Sequence, residues 1–84
     1  MELNTLLLTK QYGGITIRLK EQMDKRGISR YKLARSINTR FEVVNKWYCG
    51  EVEKLDLDVL ARICYILDCR IEDILVYSPP KTEN

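Results

Sequence analysis

The stretch SRYKLARSINTRFEVVNKWYCG, residues 29–50, carries two short apolar patterns on either side of a break long enough only for a turn. Leu33, Ala34 and Ile37 form one stripe at i, i+1, i+4, and Val44 and Trp47 form a second at i, i+3. Residues three or four apart share a helix face, so each stripe predicts an amphipathic helix. Between them, Asn38 tolerates the left-handed backbone that closes a helix, and Thr39 carries a hydroxyl able to cap the next one. The pattern predicts a helix-turn-helix. Two helices this short cannot bury both stripes alone, so flanking helices must complete the core.

Ser29 is a good N-cap for a helix over roughly Arg30 to Ile37, and the helix after the turn is expected from about Arg40 to Tyr48, closed by Cys49 and Gly50. Upstream, the alternation of Ile15, Ile17 and Leu19 predicts a short strand leading into a first helix near Arg18 to Arg26, ended by Gly27. Downstream, the charged run Glu51 to Lys54 is a loop, and Asp56 or Asp58 caps a fourth helix that buries Leu60, Ile63, Cys64 and Leu67 and ends near Leu67. A short fifth helix is expected over Ile71 to Leu75, with Ile74 and Leu75 inward and Glu72 and Asp73 in its first turn, where the helix dipole favours acids. Val76 and Tyr77 then run extended into Ser78, Pro79 and Pro80. The expected fold class is all-α, five helices with short extended segments at the ends. Residues 1–14 read as an arm ending in a flexible Gly13-Gly14 joint, 15–77 as the domain and 78–84 as a disordered tail.

A chain of 84 residues is one small domain. It buries only about 60 to 65% of its unfolded surface, so a deep enclosed active site is not expected. No apolar run approaches the roughly 20 residues of a membrane span, and Leu6 to Leu8, followed by Thr9 and Lys10, falls short of a signal-peptide core. The expectation is a soluble cytoplasmic protein with no membrane partner. Cys49, Cys64 and Cys69 lack CxxC spacing and the chain has no His, so no zinc or other metal site is expected and the cysteines read as reduced structural thiols. No nucleophile is paired with a base at a recognisable spacing and no Gly-rich phosphate loop occurs, which argues against an enzyme and against a cofactor. The acidic residues at 56, 58, 68, 72 and 73 are explained by caps and solvated helix faces.

Charge is unevenly distributed behind the net value of +2. Between Thr16 and Lys46 there are nine basic residues and three acidic ones, a surplus of six positive charges. Between Trp47 and Asn84 there are four basic and eight acidic, a surplus of four negative charges. A molecule polarised in this way can turn one face to a polyanion while the other is repelled.

With five short helices in this order, the chain resembles the Cro/CI-type (XRE, lambda-repressor-like) helix-turn-helix regulators over about Ile15 to Tyr77. The residues that carry the resemblance are LARSI at 33–37, the turn Asn38-Thr39, the run from Val43 to Gly50, and LARICYILDCRIEDILVY at 60–77. The last of these is similar to the ending of the small single-domain branch of that family. The resemblance implies a sequence-specific DNA-binding regulator, usually a homodimer on double-stranded DNA. Two positions depart from the family pattern. Asn38 stands where many relatives have Gly in the turn, and Arg40 stands where Ser or Thr often caps the second helix, leaving Thr39 as the cap one residue earlier.

In DNA-binding versions of the motif the second helix lies in the major groove. With Val44 and Trp47 facing the core, the groove-contact candidates are Arg40, Phe41, Glu42, Asn45 and Lys46. Arg40 or Lys46 suits guanine O6 and N7, Asn45 suits adenine, and Phe41 suits a thymine methyl group. Phe41 has a second reading, as a half-buried ring against the preceding helix. Glu42 either is repelled by phosphates or accepts from a cytosine amino group. Backbone anchoring falls to Arg30, which the resemblance puts at the groove edge, with Arg18, Lys32, Arg35 and Tyr48 beside it; such contacts set register without reading sequence. Because Leu3, Leu6, Leu7, Leu8, Val76 and Tyr77 have no evident place in a five-helix core, the two end segments are expected to help form the dimer, by strand pairing that also involves Ile15 and Ile17. The rival reading is a protein-interaction module, antitoxin-like or an inhibitor subunit, that keeps the fold without base readout. The apolar residues Phe41 and Val43 keep it open.

Overall fold

Both apolar stripes of the helix-turn-helix enter one buried cluster. Leu33, Ala34, Ile37, Val44 and Trp47 pack there with Leu19, Met23, Val59, Leu60, Ile63, Leu67 and Ile74. A computed structural model describes residues 12–80. The chain runs β1 (Gly14–Ile17), α1 (Leu19–Arg26), α2 (Arg30–Ser36), α3 (Phe41–Cys49), α4 (Leu57–Leu67), α5 (Ile71–Ile74) and β2 (Leu75–Ser78). The expected order of five helices is therefore present, joined by a small two-stranded sheet. Trp47 is 2% exposed, so the indole is a core side chain.

Four helices end in the same way. Gly27, Asn38, Gly50 and Asp68 have φ of 64°, 55°, 73° and 50°. After each, the next amide reaches back five residues: Ile28 to Met23, Thr39 to Ala34, Glu51 to Lys46 and Cys69 to Cys64, at 2.9 to 3.2 Å. This is the Schellman closure, in which one left-handed residue lets the chain turn back and satisfy carbonyls that the helix leaves open. It corrects the expectation for Thr39. The Thr39 amide closes α2, Arg40 is the N-cap of α3 with no side-chain cap bond, and α3 begins at Phe41, one residue later than expected. Ser29 does cap α2, accepting from the Lys32 amide, and Asp56 rather than Asp58 caps α4, accepting from the amides of Asp58 and Val59.

Two arginines bind the ends of neighbouring helices. Arg26 Nε donates to the Leu67 carbonyl at 2.7 Å, and Arg62 Nη1 donates to the Ile37 carbonyl at 2.9 Å. Each guanidinium thus meets the carbonyl-rich, partly negative end of another helix, where a cation is favoured.

β1 and β2 pair antiparallel, with Gly14 opposite Ser78, Ile15 opposite Tyr77, Thr16 opposite Val76 and Ile17 opposite Leu75. Val76 and Tyr77 therefore have strand partners within the same chain, Thr16 and Ile15. Leu75 begins this strand and so ends α5 one residue earlier than expected. Leu3, Leu6, Leu7 and Leu8 lie outside the described residues. Gly13 sits in a turn packed against the end of β2. Its φ is +84°, and a Cβ there would lie 2.2 Å from the Ser78 carbonyl oxygen and 3.0 Å from Pro79 Cα. Gly14 has open space where a Cβ would go.

This difference predicts opposite tolerance at adjacent glycines. Gly13→Ala meets both a left-handed backbone and a backbone clash and should lower stability by about 1 to 3 kcal/mol, whereas Gly14→Ala should stay within about 1 kcal/mol of the parent. Thermal or urea denaturation of the two variants measures this.

Candidate nucleic-acid interface

The helical repeat sorts α3 into three faces, since successive residues turn by about 100°. Val44 and Trp47 point into the core, with Val43 half-buried against it. Phe41, Asn45 and Tyr48, at i, i+4 and i+7, are all half-buried and form the flank toward α2. Glu42, Lys46 and Cys49, with the same spacing one residue on, are all exposed and form the solvent face, and Arg40 is exposed at its N-terminal end.

The flank is a layer of aromatic rings and cations. Tyr31 of α2 stacks on Phe41 with ring centroids 4.3 Å apart and planes inclined by 28°. Arg30, the first residue of α2, holds its guanidinium carbon 4.7 Å from the centre of the Tyr48 ring and 5.6 Å from that of Phe41. Its Nη1 donates to Asn45 Oδ1 at 2.6 Å. On the other side, Lys20 Nζ lies 5.7 Å from the Tyr48 ring centre. A cation against an aromatic face is attracted by the ring quadrupole, so these contacts hold the starts of α1 and α2 to α3. The ammonium of Lys20 is held above its ordinary pKa by its bond to Asp24.

Ion pairing divides the remaining basic residues. Arg18 bridges Glu21 at 3.3 Å and Lys20 bridges Asp24 at 3.0 Å, both on α1 or at its start. Among the described residues Arg30, Lys32, Arg35, Arg40 and Lys46 have no carboxylate partner. The fold thus brings Arg30, Phe41, Asn45 and Tyr48 into one contact layer, with Glu42, Lys46 and Arg40 on the adjoining exposed face. Lys32 and Arg35 stand on the outward side of α2, around a shallow recess shared with Ser29, Tyr31 and Ser36. Arg18 belongs to the junction of sheet and helix, where its amide donates to the Ile74 carbonyl.

Sequence reading did not place Tyr31 or Cys49 among the contact residues. Tyr31 is 68% exposed and lies on the opposite side of α2 from Leu33, so apolar periodicity passes over it. Cys49 completes the exposed 42, 46, 49 set, and that spacing was available as a signal. No group of three or more His, Cys, Asp or Glu side chains that could hold a metal occurs among the described residues. A groove of about 450 Å³ between the end of α2 and α4, lined by Ile37, Ala61, Arg62, Tyr65 and Ile66 among others, is open to solvent.

The model of the Cro/C1-type HTH DNA-binding domain matches residues 18–80. The chain belongs to this family. The family is a DNA-binding type and not a class of enzymes, and no helix among the described residues is long and apolar enough to cross a membrane. Among solved structures, the chain is similar to the transcriptional regulator VanUg, with a TM-score of 0.64 and 21% identity, over 82% of this chain and 91% of that one. At that identity the likeness is one of fold. No curated protein sequence matches the chain.

Within this family fold the three thiols have different surroundings. Cys49 is exposed, whereas Cys64 and Cys69 are half-buried. Burial pushes the Cys69 thiol above its ordinary pKa, so less of the reactive thiolate forms at a given pH. Iodoacetamide at mildly alkaline pH should therefore label Cys49 well before Cys69. Peptide mass spectrometry over a time course checks the order.

Proposed function

We propose that this Cro/C1-type domain is a sequence-specific transcriptional regulator that binds double-stranded operator DNA in the cytoplasm as a homodimer and acts by occupancy. The observation that carries this reading is the set of five cations on α2 and around α3, Arg30, Lys32, Arg35, Arg40 and Lys46, with no carboxylate partner among the described residues. Such a surface is neutralised well by a polyanion. α3 enters the major groove with its exposed face. Arg40 and Lys46 bond guanine edges, Glu42 accepts from a cytosine amino group, the free edge of Phe41 packs on a thymine methyl group, and Asn45 lies at the groove margin. Arg30, Lys32 and Arg35 anchor to phosphates, with Arg18 and the Tyr48 hydroxyl as outlying contacts. One copy neutralises few phosphates, so two copies on a palindromic site supply the specific affinity. Apolar side chains left exposed on α4 and the sheet, Leu57, Tyr65, Ile15 and Tyr77, offer surface for a partner copy to cover.

The rival reading, an interaction module without base readout, drew on Phe41 and Val43 as apolar groove residues. Val43 packs against the core and Phe41 stacks on Tyr31, so each has a reason to be apolar inside the domain. That weakens the rival.

For a dimer making about six phosphate contacts, log K against log salt should fall with a slope near −5. A flat titration between low and physiological salt would remove DNA from the reading. Arg40→Ala and Lys46→Ala should each relax preference at particular base positions, at about 1 to 3 kcal/mol per lost contact, while Lys32→Ala should weaken all sequences alike. Selection of bound DNA by each variant measures the difference, and an unchanged preferred sequence in both Arg40→Ala and Lys46→Ala would put the groove-facing surface elsewhere.

A further inference from the structure

The side-chain oxygen of Asn45 is already in use. Reading adenine with an asparagine needs both ends of the carboxamide, Oδ1 accepting from N6 and Nδ2 donating to N7. Here Oδ1 accepts from Arg30 Nη1 at 2.6 Å, and Cys49 Sγ approaches the same oxygen at 3.9 Å. An arginine has no acceptor, so the carboxamide is fixed with its oxygen toward the guanidinium and its amide turned away. Arg30, for its part, is held by more than this bond, its guanidinium lying near the faces of both Tyr48 and Phe41. A guanidinium has five N–H donors in a rigid fork that suits a phosphate. Among the described residues one of the five is committed, to Asn45.

Resting on the DNA-binding reading above, we propose that Asn45 is a positioning residue. It fixes the Arg30 guanidinium, with the Tyr48 ring as a floor, so that the remaining donors form a ready clamp for a DNA phosphate at the groove edge, and it does not itself read a base. An arginine normally gives up much rotamer freedom when it docks. Freedom already lost in the unbound protein is not lost again on binding, which is how preorganisation raises affinity. The link also joins the first residue of α2 to the middle of α3, so the depth of α3 in the groove is set by where the phosphate is caught.

The test uses the full chain and the DNA site selected by the wild-type protein. Asn45→Ala should lower affinity about tenfold for selected and scrambled sites alike, leaving the preferred sequence unchanged. Combined with Arg30→Ala it should cost little beyond Arg30→Ala alone, because both variants break one device. NMR of the DNA-free protein provides a reading independent of binding. The Arg30 guanidinium protons should be resolved and slowed in rotation in the wild type, averaged in Asn45→Ala, and slowed again in Asn45→Asp, which keeps the acceptor. A change in preferred base at a single position in Asn45→Ala, or additive losses in the double variant, would overturn the proposal in favour of direct reading. A freely rotating Arg30 in the wild type would also overturn it. Failure of the wild-type protein to bind any DNA would overturn both this proposal and the reading it rests on, and is recognised from the wild-type arm alone.

Discussion

Four residues, Ile37 to Arg40, carry the chain from α2 to α3, and within them Asn38 at φ 55° sets the direction of everything that follows. A left-handed residue turns the backbone sharply enough for the Thr39 amide to bond back to the Ala34 carbonyl. Once that closure forms, α3 must leave α2 at an angle, and only one of its faces can meet the core. Val44 and Trp47 occupy that face. The position of every other side chain on α3 is then a consequence of the helical repeat. A β-branched residue at 38 would put strain at this point and disturb both the packing of α3 and the face it shows to solvent.

The same geometry explains why core and contact layer are hard to separate in this domain. Phe41, Asn45 and Tyr48 adjoin the buried stripe on one side and the exposed stripe on the other, so they touch α2 while remaining partly open to solvent. Tyr31, Arg30 and Lys20 reach them from neighbouring helices. In a chain this small, residues around the edge of the core are the ones available to fix the exposed helix. Arg26 and Arg62 illustrate a second use of positive charge, since both bind helix-end carbonyls. Basic residues counted together from sequence thus serve different ends: Arg26 and Arg62 bind helix-end carbonyls, while Lys32, Arg35, Arg40 and Lys46 are left without a carboxylate partner among the described residues.

Much of the helical order was legible because the apolar spacing is regular. Leu33, Ala34 and Ile37, Val44 and Trp47, and Leu60, Ile63 and Leu67 all lie in the core. Gly27 and Gly50 marked helix ends through their identity, and Asn38 did so because it tolerates the left-handed region. Asp68 takes the same conformation without announcing it, since an Asp is equally at home as a solvated charge. Thr39 misled because its hydroxyl suits a cap, whereas the closure of α2 takes up Thr39 and the N-cap position falls on Arg40. The sheet was half legible. The alternation of Ile15 and Ile17 pointed to a strand, but its partner lies some sixty residues on, with Val76 paired to Thr16, and no local pattern encodes that match. Arg30 and Asn45 were both named as contact residues, yet their bond to each other could not be read, because it depends on the angle between two helices.

The account stands on α3 presenting Arg40, Glu42 and Lys46 to the floor of a major groove with a second copy alongside. Selection of bound duplexes from a random library by the 84-residue chain tests this most directly. It should enrich a palindromic site whose half-site centres are about one helical turn, roughly 10 base pairs, apart or a multiple of that distance. A library that remains at its starting composition after repeated rounds, at salt low enough for binding, would contradict it.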